Sequence, residues 1–438
     1  MRRILRRAIA LAPAAALTLL LFPAPVSGAD FQLVVVDPPG EGFNDPTPVS
    51  AVPGNPGTTL GEQRINAFVA AAEEWGEDLA SGVPVVIEVE MPELPCAPES
   101  AVLGAAGPTT VFRDFPVAPR AATWYAAALA NALVNEDLDP ASPDIRSFFN
   151  LLLDDADPDC LGGITWWYGI GGPSPPGTVP FVTVVQHELA HGMGFSTFID
   201  RETGEKFGGF DDAYMVYLED HSTGETWPEM TDQERIDSTV DTGDLHWIGP
   251  RAVEGGSVLT SGSHSSGHVL MYAPETNRPG SSVTHFDTSL SPDELMEPNL
   301  TPEATDFLAT PLLEDIGWLT VGCQPSPTTF CLGPAGRFEV EVEWEDFEGN
   351  RGLGKEVVSS ADSAVLWFFQ DDNWEMVVKV IDGCLVNERF WFFGAAATNV
   401  EYTITVTDTQ TLETRIYQNP LGTRAAAIAD TDAFATCT

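Results

Sequence analysis

Basic residues are scarce in this chain of 438 residues: 20 Lys and Arg stand against 65 Asp and Glu. Four of the bases, Arg2, Arg3, Arg6 and Arg7, fall in the first seven residues, and without them the net charge is about −49. A field of that sign repels nucleic acid and anionic membrane surfaces, so neither is expected as a partner. The acidity itself points to solubility or salty surroundings and names no function. Beyond residue 30 no apolar run is long enough to span a bilayer. The six cysteines form no CxxC pair, which leaves thiol chemistry without support. No EF-hand-type loop is present, so calcium is only a minor expectation, carried by carboxylates such as Asp211 and Asp212. There is no internal repeat.

What the sequence does have begins with an export leader. Residues 1–29 run from arginines through an apolar stretch to small residues ending Ser27-Gly28-Ala29, the order of a secretory signal peptide cut after Ala29. The mature protein is then secreted, to a periplasm or beyond the cell, without a membrane segment. An exported chain with six cysteines suggests three disulfides, and pairing by segment gives Cys96–Cys160, Cys323–Cys331 and Cys384–Cys437.

Two patterns divide the remainder. In 30–322, helical and strand-like stretches alternate between Gly/Pro-rich loops. "EQRINAFVAAAEEWGEDLA" sets Ile65, Phe68, Ala72 and Trp75 on one face of a helix. "VPVVIEVEM" reads as a strand, "AATWYAAALANALVNE" and "DIRSFFNLLLDD" as two further helices, and "GITWWYGI" as a strand. A linker at 323–333 is rich in Pro, Ser, Thr and Gly. From 334 to 438 the period becomes two: "RFEVEVEWED" puts Phe338, Val340, Val342 and Trp344 on one side and glutamates on the other. Four similar segments follow, which predicts a β-sandwich-like domain.

Chemistry concentrates in "VVQHELAHGMGFSTFID". His187 and His191, four apart on a helix, lie about 40° apart on one face, while Val182, Val185, Leu189 and Met193 project from the other. Glu188 borders the histidine face, placed to reach a metal-bound water without ligating. Zinc there would acidify the water and polarise a carbonyl, and Glu188 would serve as general base. Catalytic zinc usually has three protein ligands. The extended pattern would put the third at 197, where this chain has Thr197. Gly194 allows the helix to stop sharply and the chain to turn, which favours a ligand from a later segment. His221 reads as a surface turn, His264 and His268 as a loop entering a strand, and His246 as a packed ring. His285 differs from them because Met296 follows eleven residues later; His246 is the alternative.

"HELAHGMGF" followed much later by "THFDTSLSPDELMEP" resembles the leishmanolysin-type metzincins, in which a long insertion separates the glycine from the third zinc histidine and a methionine turn follows. "EGFNDPTP", "GNPGTTLG", "TWYAAALAN" and "LLEDIGW" extend the likeness to a group of exported bacterial HExxH proteins. The resemblance implies an α+β metzincin-type zinc protease domain with a mixed twisted sheet, a zinc-binding helix and an insertion at about 195–284. It implies His187, His191 and His285 as ligands of one Zn2+, Glu188 as general base, Gly194 as the turn and Met296 as the Met-turn residue. Protein or peptide is the implied substrate, with "GITWWYGI" as the strand lining the cleft. The chain departs from the pattern at Pro298, where some metzincins carry a tyrosine. No room is left for a propeptide with a cysteine switch. Rival readings are a silent binding protein on the same scaffold, a gluzincin-like peptidase with Glu205 or Glu219 as third ligand, and hydrolysis of a non-peptide amide.

Overall fold

Strand β1 (Phe31–Val35) leads to helix α1 (Leu60–Asp78), whose first turn is closed by a capping box between Thr59 and Glu62. The computed structural model describes residues 28–301, 305–323, 325–409, 411 and 413–437. The leader expected at 1–29 therefore lies outside the described residues except for Gly28 and Ala29. Gly28 bridges Ala80, and the Ala29 amide donates to the Leu79 carbonyl at 2.8 Å.

Helix α1 buries Ala67, Phe68, Ala71, Ala72 and Trp75, and each large side chain so buried stabilises the fold by about 1.5–3 kcal/mol. It shares one core with β2 (Val85–Glu90), β3 (Gly104–Pro108), helix α2 (Ala127–Val134) and β4 (Ile145–Phe149). The sheet order is β1-β2-β4-β3, with β1, β2 and β4 parallel and β3 antiparallel at the edge.

The helix expected from "DIRSFFNLLLDD" is instead β4 and a 3-10 turn at Leu151–Asp154. Ile145, Ser147 and Phe149 are buried while Arg146 is exposed. That is a period of two, and a central place between β2 and β3 outweighs local helix preference. Likewise only Ala127–Val134 of "AATWYAAALANALVNE" is helical, because Thr123–Ala126 is extended and pairs with neighbouring strands.

The short parallel pair β5 (Thr165–Trp167) and β6 (Thr178–Pro180) feeds helix α3 (Phe181–Met193). The Trp75 indole donates to the Gln186 carbonyl at 3.0 Å, tying α1 to α3. After α3 comes a small antiparallel sheet of β7 (Leu218–Asp220), β8 (Leu245–Trp247) and β9 (Val269–Leu270), with Glu225–Thr226 on its far edge. Tyr214, Trp227, Leu245, Trp247 and Val269 join the same core as α3, so the stretch after Gly194 builds no core of its own. Helix α4 (Ala309–Ile316) closes this part.

A second, separate cluster of buried apolar residues runs from Phe330 to Phe434. Two antiparallel five-stranded sheets supply it. Phe338, Val340 and Val342 face inward between glutamates, opposite Leu366, Val378, Val380 and Phe392, as a β-sandwich requires. Arg337 holds the buried Asp408 carboxylate through two hydrogen bonds of 2.8 and 2.7 Å. Disulfides join Cys96 to Cys160, Cys323 to Cys331 and Cys384 to Cys437, the pairing by segment expected from the sequence. Among the described residues no helix is long and apolar enough to cross a membrane.

Several carboxyls are buried in this acidic chain. Burial pushes Asp78 and Asp212 up to about 6, Glu297 to about 7 and Glu294 to about 8. Each holds its proton to a higher pH in the folded protein than in the unfolded chain, so the stability it contributes is present below about pH 4 and is lost as the pH rises through the folded values. Above about pH 6.5, where histidines are neutral in both the folded and the unfolded chain, the melting temperature is expected to fall as the pH rises to about 8 at constant ionic strength, and Glu297→Gln to flatten the slope. Thermal denaturation across pH checks this; a melting temperature that rises over the same interval contradicts it.

Candidate metal centre

Helix α3 ends where Gly194 takes φ +116°, a left-handed conformation that favours glycine. The Phe195 amide donates to the Ala190 carbonyl at 3.0 Å, which folds the chain back under the helix. Val185, Leu189 and Met193 are fully buried, which directs His187 and His191 away from the core behind them. The segment Ser281–His285 brings the third imidazole. His187 Nε2 lies 3.1 Å from His285 Nε2 and 3.2 Å from His191 Nε2, and the last two are 3.3 Å apart. Donor atoms about 2.0–2.1 Å from a tetrahedral zinc ion stand about 3.3 Å from one another, so the three nitrogens fit that ion.

The opposite ring nitrogens decide what these three can do. His187 Nδ1 donates to the Leu295 carbonyl, His191 Nδ1 to the Phe195 carbonyl and His285 Nδ1 to the Ser281 carbonyl, each at 2.8 Å. A carbonyl only accepts, so each Nδ1 carries the proton and each neutral ring turns an Nε2 lone pair inward. Burial, joined at His191 and His285 by the neighbouring imidazoles, lowers all three from the usual histidine range; His191 falls to about 3. The lone pairs therefore stay free of protons at neutral pH, and the group can hold a metal ion.

Each accepting carbonyl is fixed from behind. Phe195 is set by the Gly194 turn. Leu295 precedes Met296, which is fully buried and whose carbonyl accepts from Phe286 N–H at 2.9 Å. The Glu294 carboxylate accepts from the amides of Met296 at 2.5 Å, Leu308 at 3.1 Å and Ala309 at 2.8 Å, joining this turn to the start of α4. The Ser281–His285 segment is held by Arg201, which donates to the Ser282 carbonyl at 2.6 Å, and by the Tyr214 hydroxyl on the Val283 carbonyl at 2.9 Å. Glu294, Arg201 and Tyr214 were not among the residues singled out from the sequence, because no spacing marks a residue that acts on backbone carbonyls.

Glu188 is 7% exposed and faces β3. Burial pushes its carboxyl up to about 8, although the Ala106 amide donates to it. A Cβ on Gly104 would come within 3.0 Å of the Glu188 side chain, so the glycine gives the carboxylate its room. β3 pairs with β4 through hydrogen bonds at Leu103/Asn150 and Thr109/Asp144. By antiparallel alternation the peptide groups of Gly104 and Ala106 face the other, open side. This edge lies beside Glu188.

"GITWWYGI" does not line it. Trp166 is buried and donates to the Asn150 carbonyl at 2.8 Å, and the buried Tyr168 hydroxyl bonds Asp154 at 2.9 Å. The aromatics are drawn into the core because β5 pairs with β6 behind α3, while the sheet edge is the small-residue strand "GAAGP".

Thr197 is equally occupied: its hydroxyl donates to Asp212 at 2.8 Å. Asp212 also accepts from the amides of Phe198, Tyr214 and Met215, so both its oxygens are taken by protein donors and none is left for calcium. Asp211 pairs with Lys206 at 2.6 Å. Glu205 is exposed, and Glu219 stands with His221 and His268, so neither joins His187 and His191. His246 and His264 also lie against His221. Comparison with family models, with curated proteins and with solved structures returned no match to this chain.

The ligand set can be tested without any assay of activity. His285→Ala should lose tightly held metal, whereas Thr197→Val should keep it and lower stability by about 1–3 kcal/mol, since a buried hydrogen bond to Asp212 is lost. Metal analysis after dialysis, with denaturant titration of both variants, decides; full metal content in His285→Ala would remove it from the ligand set.

Proposed function

We propose that the chain is an exported zinc endopeptidase of metzincin type, with His187, His191 and His285 as ligands and Glu188 as general base. The observation that carries the reading is the triangle of inward-facing Nε2 atoms with a buried carboxylate beside it. Zinc, when bound, supplies Lewis acidity that polarises a scissile carbonyl and acidifies a water. The remaining work falls to the protein. Glu188, held by the Ala106 amide, takes the proton of the attacking water and passes it to the leaving nitrogen. The open edge of β3 offers the Gly104 peptide group and the Ala106 carbonyl to an extended substrate backbone, the Ala106 N–H being held by Glu188. Small side chains on that strand leave room for the substrate to approach.

Export is supported by the three disulfides, which belong to an oxidising compartment. Met296 and Gly194 have structural tasks: one lies in the turn that presents the Leu295 carbonyl, the other ends the helix so that Phe195 can present its own. Glu188 counts against a silent binding protein, because a scaffold used only for adhesion gains nothing from a buried, hard-to-ionise carboxylate.

Glu188→Gln keeps the shape and removes the base. It should retain zinc and lose hydrolysis of an unfolded protein substrate by on the order of 10²–10⁴-fold. Wild-type rates in a zinc-loaded Glu188→Gln would sink the mechanism, and absence of hydrolysis by zinc-loaded wild type on unfolded proteins would sink the assignment to endopeptidases.

A further inference from the structure

Seven histidines are present in the chain, three of them in the centre above. The other four are gathered at one place on the small sheet. Register pairs Glu219 on β7 with His246 on β8, and His246 with Leu270 on β9. His221 lies two residues beyond Glu219 and His268 two before Leu270, so the alternation of strands puts all four side chains on one face. The His221 amide continues the ladder by donating to the Asp244 carbonyl at 2.8 Å. A tight turn closed by the His264 amide on the His268 carbonyl at 2.9 Å brings His264 to the same spot.

The contacts are those of ligand atoms. His221 Nε2 lies 3.0 Å from His268 Nδ1 and 3.3 Å from Glu219 Oε1, and Glu219 Oε2 lies 3.8 Å from His268 Nδ1. The ring of His246 stacks on His221 with centroids 3.8 Å apart, and His264 meets His221 edge-on at 4.2 Å. His246 Nδ1 donates to the Asp244 carbonyl at 2.8 Å, which leaves a lone pair on Nε2, and that buried Nε2 has no hydrogen-bond partner among the described residues. Four imidazoles and a carboxylate thus crowd together with fewer protons to share than acceptor atoms.

We propose that Glu219, His221 and His268 form a second metal site, distinct from the His187–His191–His285 centre and taking zinc or a similar divalent transition ion. Two imidazole nitrogens and one carboxylate oxygen are the donors such an ion prefers, and their spacing brackets the roughly 3.3 Å separation of ligands around tetrahedral zinc. Calcium, which takes six to eight oxygens, does not fit. The three side chains are between 12% and 25% exposed, so water reaches the remaining coordination position. His246 and His264 both lie against the His221 ring. An ion here ties the 264–268 turn to β7. The continuation of β9 is the strand whose Tyr272 amide donates to the His285 carbonyl at 2.9 Å, so the second site braces the segment that delivers the third ligand of the first.

The test is zinc stoichiometry of the full chain, by elemental analysis after equilibrium dialysis at saturating zinc. Wild type should hold two ions, the His187→Ala/His191→Ala pair one, the His221→Ala/His268→Ala pair one, and the fourfold variant none. Cobalt(II) loaded into the His187→Ala/His191→Ala background should give a visible tetrahedral d–d band that Glu219→Gln weakens severalfold. Glu219→Gln also serves as the milder variant if the double histidine replacement does not fold. A wild-type content of one ion, lost with His187 and His191 and untouched by His221 and His268, overturns the second site. One ion lost only with His221 and His268 upholds it while removing the first centre, so the two readings fail separately.

Discussion

Three hydrogen bonds from imidazole Nδ1 atoms to backbone carbonyls govern the rest of the centre. Without them each ring could take either tautomer, and an Nε2 that carried a proton would have no lone pair to offer. With them, at 2.8 Å each, all three rings are committed to the same form before any cation arrives. The accepting carbonyls belong to Phe195, Leu295 and Ser281, which come from three separate segments of the chain. Much of the architecture around α3 can be understood as the apparatus that brings those three oxygens to their places: the Gly194 turn for one, Glu294 for the second, Arg201 and Tyr214 for the third. Burial then adds to the effect by lowering the basicity of the rings, so that protons do not compete for the lone pairs.

The same economy of bases that gives the chain its negative charge bears on where cations can come from. Arg64, Arg235 and Arg337 are buried against carboxylates or carbonyls of the frame, and three lysines are all the chain contains. A buried arginine paired in this way costs much to disturb, because removing either partner strands the other charge. Positive charge inside this protein is therefore largely spent on holding elements together.

Legibility in the sequence followed the range of the interaction. The β-sandwich was visible because period-two alternation is local: Phe338, Val340 and Val342 lie two apart and are all buried. His187, Glu188 and His191 were visible because they occupy one helical turn and its neighbour. The convergence of His285 on them was visible only through Met296 and Gly194, two residues that shape backbone turns. What escaped was non-local or carried by backbone. Ile145–Phe149 looked helical because its apolar run does not disclose that it lies between two other strands. The open edge of β3 carries only Gly, Ala and Pro, and its chemistry resides in peptide groups that every residue has. The gathering of His221, His246, His264 and His268 depends on strand register, and a shift of one residue would have sent them to the opposite face.

The long gap before the third histidine then poses an energetic question, since 94 residues separate His191 from His285 where the short zinc-protease spacing needs six. Closing the longer loop costs more chain entropy, but the cost grows only logarithmically and amounts to roughly 2–3 kcal/mol more than the short one. The intervening residues offset it by entering the core. Tyr214, Trp227 and Trp247 are each at most 1% exposed, and burying even one such side chain contributes about as much as the added closure entropy. Position is also better defined this way. A ligand on a short tether takes the geometry its turn allows, whereas His285 sits on a segment hydrogen-bonded to Arg201, Tyr214 and Tyr272 and packed against the body of the domain. Thr197, at the place where the short pattern would want a histidine, is free to donate to Asp212 and so helps anchor the start of the very stretch that brings His285 to His187 and His191.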